Sequence, residues 1–493
     1  MHLSDFNIPD IVLPENANKI PIKSITSDSR KTSQDCMFAA IKGYQLDGHD
    51  YINDAIIAGA SNILVDHSYK NKKPIPLTKA KNVRKALALI SAIYHQKQPD
   101  TIAAVTGTNG KTSVCYFLKQ IWELNNFKSA SLGTLGLISS SIFNFAGENS
   151  QNLTTLDPIK LHEYLSLLKK NGVNRLALEA SSHGIEQHRI DGVNFSLACF
   201  TNLSHDHLDH HKNIQNYKNQ KFRLFEELVQ DSGSVIINID DDIGLELIER
   251  IKNRNLNIVT YGFSKKAQWR IKNVENINNH KTIKIEAEGK NFLIPTALNS
   301  NFHVYNALAA SALAYSSGIP LEHSLFAIRN LLTPEGRMQE IFSEKGSRIY
   351  VDFSHTPQAL EVILKEKSQL DGKLFLVIGC GGNRDALKRK KIGKIASKYS
   401  DKAIITDDNP RKENPEKIRS EIIKGKLQYK DNLIEIADRK EAISQALELA
   451  GPKDTVIIAG KGHEKFQEYN GKKIPHNDFL FCKHLIETKV GKK

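Results

Sequence analysis

Cysteine is scarce in this sequence, and long apolar runs are missing from it. Five cysteines are scattered among 493 residues, an odd number without a CxxC pair. This pattern argues against a disulfide framework or a structural zinc site and is typical of a reducing cytosol. No apolar run reaches the roughly 18–20 residues that a membrane span needs. The opening MHLSDFNIPD has acidic residues and a proline where a signal peptide has a basic and then an apolar stretch. We therefore expect a soluble, cytoplasmic protein without a membrane partner.

The amino-acid composition is ordinary, but the net charge is strongly positive. Apolar residues make up 40% and charged residues 25%, which excludes a disordered, collagen-like or coiled-coil protein. Lys and Arg number 68 against 55 Asp and Glu, a net charge of +13 that favours anionic partners such as nucleic acid, phospholipid or phosphorylated metabolites. The run KRKK (Lys388–Lys391) suits a nucleic-acid-binding protein. No basic motif interleaved with aromatic residues accompanies it, so this class is the weaker alternative.

Two polar breaks divide the chain into three segments. YHQKQPD (Tyr94–Asp100) and LLTPEGRMQ (Leu331–Gln339) each interrupt a helical pattern with proline, and the second also with glycine. The predicted domains are therefore 1–97, 98–333 and 334–493, and no internal repeat is found. Apolar strands alternate with helical stretches in all three, which predicts an α/β fold. We expect a small α/β domain, a central P-loop ATPase-like domain with a parallel sheet, and a Rossmann-like α/β domain.

A glycine-rich loop in the second segment has the pattern of a phosphate-binding site. The apolar strand TIAAVTG leads into TGTNGKTS (Thr106–Ser113), which opens a helical stretch. Gly107 and Gly110 permit close backbone approach, so that successive amides can surround a phosphate at the helix N-terminus. Lys111 offers a mobile cation and Thr112 a hydroxyl for Mg²⁺. The predicted ATP-binding residues of this loop are Gly107, Thr108, Asn109, Gly110, Lys111, Thr112 and Ser113.

Acidic and histidine residues follow two later strands of the same segment. Glu179 ends the strand of LALEASSHG, and the cluster HDHLDHH (His205–His211) follows the strand that ends in CFTNL. The carboxyl ends of strands in an open α/β sheet are where ligands bind. A carboxylate there suits Mg²⁺, which prefers oxygen ligands, and His207 could complete the shell. The histidine cluster could instead be a zinc site or a solvated helix start. The phosphate loop in the same segment favours nucleotide-bound magnesium.

Taken in order, these motifs resemble those of the Mur ligase family. The spacing GTNGKT is shorter than the usual GxxxxGK[ST] and is followed by E-x-SSHG, TNL-x-x-DHLD-x-H and Y-x-x-x-K. The resemblance implies an ATP-dependent enzyme that phosphorylates a carboxylate and then forms an amide, with Lys111, Glu179 and His207 among the catalytic residues. It further implies magnesium held by Thr112, Glu179 and His207, and a carbamylated lysine at Lys221 that ligates metal. From the residues alone, Lys221 would be an ordinary surface lysine.

The resemblance continues past the second break. NFHVYNALAA, GRMQ and VDFSHTPQAL match further elements of the family. They imply that Asn306 packs near adenine and that Arg337 and Asp352 meet the nucleotide, with His355 nearby.

The first segment carries a signature that resembles Mur ligases acting on a UDP-muramoyl peptide. The stretch SDSRKTSQDCMFAAIKGYQLDGHDYI (Ser27–Ile52) has no counterpart in the related folylpolyglutamate synthetases. The resemblance implies uridine diphosphate contacts at Ser27, Ser29, Tyr44, Gln45 and Leu46. It implies muramoyl-peptide contacts at Thr154, Thr155, Ser181, Gln187 and Arg189. Leu153 departs from the asparagine of some relatives, which puts that one contact in question.

Three loops in the third segment are candidates for choosing an amino-acid substrate. GCGGNRD, DDNPRKENP and GKGHEKFQ each follow an apparent strand. An arginine binds a carboxylate bidentately, so Arg384 and Arg411 suit a substrate with a carboxylate at its far end, whereas lysine ends in a bare ammonium. Meso-diaminopimelate ends in both groups, so Arg411 with Asn409 would read the carboxylate and Glu464 the amine. DNPR also resembles the diaminopimelate-adding members of the family, and a lysine-adding member is the nearer alternative. The predicted diaminopimelate-binding residues are Arg384, Asp408, Asn409, Pro410, Arg411, Gly460 and Glu464.

We expect the protein to be a monomer.

Overall fold

The structure is a computed structural model that describes residues 1–43, 46–70, 74–141, 153–204, 214–277, 280–343 and 346–490. Within those ranges no helix is long and apolar enough to cross a membrane. All five cysteines are buried free thiols, as the scattered spacing predicts. Three main sheets, each flanked by helices, follow one another along the chain, and the α/β fold class is confirmed.

The first sheet has five strands and belongs to the N-terminal segment. Four of them are parallel, and the short edge strand Ile11–Val12 runs antiparallel to its neighbour. The spatial order is Ile11–Val12, Leu77–Ala80, Ala60–Asp66, Cys36–Ala39 and Ser24–Thr26. Parallel strands need crossover connections, and the helix Ile52–Ile57 supplies one of them. Their buried apolar faces form a core of their own.

The central sheet has ten strands and places the phosphate loop near its middle. The strand Thr101–Thr106 lies between Phe195–Phe200 and Arg175–Glu179, and both pairings are parallel. The spatial order is Lys290–Thr296, His280–Ala287, Trp269–Ile277, Asn257–Gly262, Val229–Asn238, Phe195–Phe200, Thr101–Thr106, Arg175–Glu179, Ser129–Gly133 and Gly136–Ile138. Strands at both edges pair antiparallel. Because the inner strands are parallel, the loops after Thr106, Glu179 and Phe200 emerge at one edge of the sheet.

The third sheet has six strands, five of them parallel. The order is Gln339–Phe342, Arg348–Asp352, Thr455–Ala459, Leu374–Ile378, Lys402–Ile405 and Leu433–Glu435, and only the first pairing is antiparallel. The predicted strands KLFLVIG, KAIIT and TVIIAG are confirmed here. Their carboxyl ends bring the three candidate amino-acid loops to one edge. A separate hairpin, Phe466–Tyr469 with Lys472–Pro475, follows the last of these loops.

Helices cover the faces of these sheets. The α-helices are Ile52–Ile57, Val83–His95, Lys111–Leu124, Pro158–Lys170, Ser182–Glu186, Ile214–Arg223, Asp242–Ile251, Asn301–Ser316, Leu321–Phe326, Pro357–Lys367, Leu387–Tyr399, Pro415–Ile423, Arg439–Leu449 and Asp478–Val490. Short 3₁₀ turns span Leu3–Phe6, Ala17–Lys19, Ser29–Lys31, Gly48–Tyr51 and Ala327–Asn330, and a π-helical turn spans Leu224–Leu228.

Local sequence explains where several helices begin. The side chains of Asn82 and Asp157 each accept a hydrogen bond from the backbone N–H of the third residue of the following helix. Pro158 occupies the first turn, where a backbone N–H would have no acceptor within the helix, so its lack of an N–H costs nothing. The helix Lys111–Leu124 differs because it begins after Gly110 without a side-chain cap. The N-cap position therefore supplies no side-chain acceptor for the first-turn N–H groups. The domain limits at 97 and 333 stay predictions.

Candidate active site

The loop between Thr106 and Lys111 contains two glycines at positions where any side chain would be strained. Gly107 has φ +149°, and a Cβ there would lie 1.9 Å from Oγ1 of Thr201. Gly110 has φ +89°, and a Cβ there would lie 2.6 Å from Oδ1 of Asn306. Both distances are far below van der Waals contact, so the loop packs this closely only because both positions are glycine. Asn306, a predicted nucleotide residue, therefore lies against the loop.

Residues that follow the strand Phe195–Phe200 hold this loop from one side. Asn202 Oδ1 accepts from the Asn109 N–H at 3.0 Å, and Thr201 Oγ1 donates to the Asn109 carbonyl at 2.7 Å. Thr108 Oγ1 lies 3.1 Å from the hydroxyl of Tyr217. The protein's own hydrogen bonds thus hold the loop in shape, as a preorganised phosphate cradle requires. Sequence reasoning missed Thr201, Asn202 and Tyr217.

Two lysine ammonium groups converge on one carbonyl of the loop. Nζ of Lys111 donates to the carbonyl oxygens of Gly107 and Thr108 at 2.8 and 2.9 Å. Nζ of Lys221 donates to the same Gly107 oxygen at 2.8 Å and lies 4.6 Å from the ring centroid of Tyr217. Lys221 is 1% exposed. The view of Lys221 as an ordinary surface lysine is therefore wrong, because its helix turns the side chain inward onto the phosphate loop.

Glu179 lies where predicted, at the carboxyl end of the strand Arg175–Glu179, and it is 2% exposed. Its Oε1 accepts the backbone N–H of Thr134 at 2.9 Å, and its Oε2 accepts the Thr134 hydroxyl at 3.1 Å. Thr134 follows the neighbouring strand Ser129–Gly133. Thr134, which sequence reasoning missed, therefore sets the orientation of the Glu179 carboxylate.

The donor set expected for magnesium is brought together in part. Thr112 and Glu179 line one small cleft beside the phosphate loop, and both offer oxygen atoms. Across the described ranges, no group of three or more His, Cys, Asp and Glu residues could hold a metal ion. His207 and the rest of the His205–His211 cluster lie outside the described residues.

We expect Gly133→Ala to lower nucleotide-dependent phosphate release by about 10²-fold, because a misplacement of about 1 Å in a catalytic group costs that much. A Cβ at Gly133 would lie 2.2 Å from Oε1 and 2.4 Å from Cδ of Glu179, so the carboxylate would have to move. Gly451→Ala is the matched control, since its Cβ would meet only Oδ2 of Asp454 at 3.6 Å. Steady-state phosphate release and thermal unfolding of both variants provide the measurement. Equal activity in the two variants would mean that Glu179 is not needed.

The residues predicted to meet the muramoyl peptide form one hydrogen-bonded group. Thr155 Oγ1 lies 3.0 Å from Ser181 Oγ, and Arg189 donates to the Thr155 carbonyl at 2.8 Å and to Gln187 Oε1 at 2.7 Å. Thr154 Oγ1 lies 3.2 Å from the Thr134 hydroxyl that also reaches Glu179. Hydrogen bonds therefore connect this group to Glu179 through Thr134. Leu153, the departure from the family pattern, is half-buried at its edge.

The N-terminal residues assigned to uridine diphosphate are only partly described. Ser27 and Leu46 are exposed, Ser29 is half-buried, and Tyr44 and Gln45 lie outside the described residues. No hydrogen bond among the described residues joins Ser27 or Ser29 to Leu46. The N-terminal segment does reach the residues predicted to meet the muramoyl peptide. Nδ2 of Asn82 lies 3.0 Å from Nε2 of His188, which is next to Gln187.

The residues assigned to the nucleotide in the third segment lie around one turn. Asp352 is 2% exposed, and its carboxylate accepts the backbone N–H groups of Met338 and Ser354, each at 2.7 Å. The Arg337 guanidinium stacks 4.2 Å from the ring centroid of Phe353. Asp352 thus fixes the turn that presents Arg337. Nδ1 of His355 donates to the carbonyl of Phe353 at 2.9 Å, and the His355 ring lies beside the Phe353 ring.

His463 joins this turn to the amino-acid loops and was not anticipated from sequence. Its Nδ1 lies 3.4 Å from Nη1 of Arg337, and its ring lies 5.1 Å from that of Phe353. Burial and the cations Arg337, Lys461 and Lys465 lower the pKa of His463 to about 3. A neutral His463 can accept a hydrogen bond from Arg337, so the loop Gly460–Lys465 contacts Arg337 through His463 and Asn409 through Lys461.

Asn409 is the centre of the amino-acid cluster and is 3% exposed. Its Nδ2 donates to Glu464 Oε2 at 2.8 Å, and its Oδ1 accepts from Lys461 Nζ and from the N–H of Glu468, each at 3.0 Å. Asp408 packs against Gly460, where a Cβ would lie 2.8 Å from Oδ2 of Asp408. The structure therefore brings Asp408, Asn409, Gly460 and Glu464 together.

Arg411 is held between two loops. Its φ of +55° lies in the left-handed region, stabilised by its N–H to the Glu468 carbonyl at 2.9 Å. Nη1 donates to the Gly382 carbonyl at 2.8 Å, and Nε lies 3.5 Å from a carboxylate oxygen of Glu468. The backbone and the guanidinium of Arg411 are therefore both held by hydrogen bonds, unlike those of an arginine in an unconstrained surface turn.

The glycines of GCGGNRD are fitted to this arginine. A Cβ on Gly382 would lie 1.9 Å from the Pro410 carbonyl oxygen. A Cβ on Gly381 would lie 2.9 Å from Nη1 of Arg411 and 3.9 Å from Cγ of Arg384. Arg384 is exposed, so both arginines flank Gly381 at an accessible surface.

Comparison with protein-family models matches the chain in three consecutive parts. The models are described as "Mur ligase family, catalytic domain" over residues 21–105, "Mur ligase middle domain" over 105–314, and "Mur ligase, glutamate ligase domain" over 336–462. Together they cover the phosphate loop, the peptide group and most of the amino-acid loops.

Full-length relatives are found among curated proteins. The chain is 38% identical over 477 residues to the UDP-N-acetylmuramoyl-L-alanyl-D-glutamate–2,6-diaminopimelate ligase of Agrobacterium fabrum. The aligned region covers 96% of this chain and 95% of the relative. A protein of the same name from Clostridioides difficile is 37% identical over 461 residues, with 93% of each chain covered.

Solved structures match over the whole length as well. One, titled as a UDP-N-acetylmuramoyl-L-alanyl-D-glutamate–2,6-diaminopimelate ligase, aligns with a TM-score of 0.71 and 29% identity over 99% of each chain. A MurF ligase from Thermotoga maritima in complex with ADP aligns with a TM-score of 0.65 and 16% identity, covering 95% of this chain and 98% of that one. The second likeness concerns the fold alone.

Proposed function

Because this chain belongs to the Mur ligase family, we propose that it is an ATP-dependent ligase that adds meso-2,6-diaminopimelate to UDP-N-acetylmuramoyl-L-alanyl-D-glutamate. The product would be a precursor of peptidoglycan, which serves cell-wall growth, cell shape and division through the cell cycle. One observation supports the choice of amino acid above the others: Asn409 links the Glu464 carboxylate to the loop that carries the Arg411 guanidinium. A cation and an anion held in one cluster suit the zwitterionic far end of diaminopimelate.

The proposed reaction proceeds through an acyl phosphate. A side-chain carboxylate oxygen of D-glutamate attacks the γ-phosphorus of ATP, and ADP leaves. The amine of diaminopimelate then attacks the acyl carbon, phosphate leaves from the tetrahedral intermediate, and the nitrogen loses a proton. Little covalent work falls to the protein, so positioning and charge neutralisation are its main contributions. Water must be excluded while the three substrates meet, because it would hydrolyse the acyl phosphate.

The phosphate loop supplies the charge neutralisation. Its backbone N–H groups, with the uncapped first turn of the helix Lys111–Leu124, would hold the β- and γ-phosphates. The Lys111 ammonium lies on the loop carbonyls and would pair with a phosphate oxygen held by the same loop. Arg337 and Asn306 would contact the rest of the nucleotide, as the family resemblance implies.

Magnesium fits the donors beside this loop. The buried Glu179 carboxylate and the Thr112 hydroxyl line one cleft and are the oxygen donors that this cation prefers. We propose that they hold it together with His207 and with Lys221 as its carbamate. When bound, the ion would neutralise charge on the phosphate oxygens.

The experiment that tests the proposal is ATP-dependent phosphate release in the presence of the muramoyl dipeptide, with diaminopimelate compared against L-lysine. Product should be formed with diaminopimelate and should be much scarcer with lysine. Equal use of both amino acids would favour the lysine-adding alternative. A protein that releases no phosphate with either would contradict the proposal as a whole.

The nucleic-acid alternative loses its main support in the folded chain. Arg389, inside the run KRKK, is 1% exposed and pairs with Glu413 and Glu421, each at 2.7 Å. The run is therefore not one continuous basic face, and the anionic substrates account for the net positive charge. We propose a cytoplasmic monomer that binds neither nucleic acid nor membrane. A gel shift at physiological ionic strength would revive the alternative.

We expect Arg411→Ala to raise the KM for diaminopimelate at least about tenfold, since a charge-assisted hydrogen-bonded pair contributes about 1.5–3 kcal/mol. The KM values for ATP and the muramoyl peptide should stay almost unchanged, because the residues assigned to those substrates lie outside the loop that carries Arg411. Arg411→Lys should recover little, since a point charge cannot reproduce the planar fork. Lys412→Ala, at the exposed neighbouring position, is the control. Normal binding of diaminopimelate by the alanine variant would show that DNPR is only a turn here.

A further inference from the structure

Lys461 is a fully buried lysine that the sequence motifs did not single out. It follows the strand Thr455–Ala459 and is 0% exposed. Its Nζ donates to Glu464 Oε2 at 2.7 Å and to Asn409 Oδ1 at 3.0 Å. Both partners belong to the candidate amino-acid site. A buried ammonium needs compensating partners, and for Lys461 these two are residues that would meet the substrate.

The loop that carries Lys461 is held at both ends. Nη2 of Arg439 donates to the Ala459 carbonyl at 2.9 Å, and the N–H of His476 donates to the Lys465 carbonyl at 3.0 Å. Arg439 is itself buried and paired with Asp478 at 2.8 Å. The backbone of Lys461 is therefore fixed by groups beneath the site, and its ammonium has little freedom to leave Glu464.

The two oxygens of Glu464 are used differently. Oε2 accepts from both Lys461 Nζ and Asn409 Nδ2. In the described parts of the chain, no hydrogen bond or ion pair reaches Oε1, and the side chain is 27% exposed. Oε1 is therefore the oxygen left for a ligand, and its direction is set by the two bonds to Oε2.

Lys461 also sets the charge of this part of the site. A lone carboxylate would attract any amino acid that ends in an ammonium, including one that carries no distal carboxylate. With the Lys461 ammonium paired to Glu464, the two charges cancel, and an excess positive charge on the substrate gains little. Recognition then depends on an ammonium at Oε1 together with a carboxylate for Arg411, and only a zwitterionic end provides both.

We propose that Lys461 is a positioning residue that determines specificity: it orients Glu464 and cancels its charge, so that the site prefers an amino acid with a zwitterionic far end over one with a bare ammonium. The inference rests on the proposed function and goes beyond it, because it assigns the discrimination to a residue that need not touch substrate. Specificity is a difference between two affinities, so its natural readout is a ratio.

Lys461→Met, which keeps most of the length of the side chain and removes its charge, tests the proposal. We expect the ratio of kcat/KM for diaminopimelate to that for L-lysine to fall at least about tenfold, with the KM for ATP unchanged. If Lys461 had a purely structural role, its loss would lower the fraction of active enzyme. The apparent kcat/KM values for both amino acids would then fall equally, and their ratio would not change. Lys119→Met is the matched control, because Lys119 is also buried and pairs with Glu123 at 2.7 Å.

Combination with Glu464→Gln makes the test sharper. If Lys461 acts through Glu464, the double variant should have a ratio within about twofold of that of Glu464→Gln alone, whereas independent effects would multiply. Lys461→Gln, which keeps a donor without the charge, serves if the Met variant does not fold. An unchanged ratio in a folded variant, multiplicative effects in the double variant, or failure of both variants to fold would overturn the proposal. A wild-type enzyme that does not use diaminopimelate would instead contradict the proposed function.

Discussion

Lys111→Ala is expected to abolish amide-bond formation while leaving the fold intact. The side chain is half-buried, and its ammonium donates to two loop carbonyls at 2.8 and 2.9 Å. In the bound state this cation would neutralise charge on the transferring phosphoryl group, where loss of one preorganised donor costs about 10²–10³-fold in rate. We expect a loss at or beyond the upper end of that range, because a full charge is removed and not a neutral donor.

The measurement is the rate of phosphate release coupled to product, with thermal unfolding as the check on folding. Lys128→Ala is the control, since it removes an exposed lysine from the segment after the same helix. The control should keep wild-type activity, and both variants should unfold near the wild-type temperature. Near wild-type coupled turnover in Lys111→Ala would refute the phosphate-binding role of the loop.

Lys221→Ala is the second variant for which we expect complete loss of activity. The structure adds a physical reason to the carbamate that the family resemblance implies. Lys221 and Lys111 both donate to the Gly107 carbonyl, each at 2.8 Å, so two ammonium groups lie close together in a buried place. Addition of CO₂ to the neutral Lys221 amine forms an N–C bond, releases a proton and leaves an anion. Repulsion between the two lysines then becomes attraction, while the remaining N–H can still donate to Gly107.

Short carboxylates such as formate or acetate should restore part of the activity of Lys221→Ala, because they can occupy the vacated anionic position. Lys218→Ala, on the same helix, removes a lysine that pairs with Glu246 at 2.6 Å and should neither lose activity nor respond to added acid. Carbon-13 NMR of the wild type in labelled bicarbonate should show a carbamate resonance that Lys221→Ala lacks. An active alanine variant, or a wild type without that resonance, would rule out the carbamate.

Much of the central domain could be predicted from local sequence. The stretch KTSVCYFLKQIWEL coincides with the helix Lys111–Leu124, and TIAAVT with the strand before it. An apolar run, two glycines and a helical period are all read within one element and its neighbours, so no distant contact was needed. The positions of Glu179 and of DNPR after their strands were predictable for the same reason. His207, Tyr44 and Gln45 lie outside the described residues, and their roles stay predictions.

Contacts between distant residues decided the rest. Lys221 meets a carbonyl 114 positions away, and Lys461 meets Asn409 52 positions away. Arg389 lies in a run that looks like an exposed basic face and is buried between two glutamates instead. Sequence patterns near a lysine or arginine do not reveal whether it is buried, because a buried charge depends on partners that only the folded chain supplies. The sequence by itself determined the elements, the loop chemistry and the family, whereas the tertiary structure decided which cations lie inside and which carboxylates and carbonyls they orient.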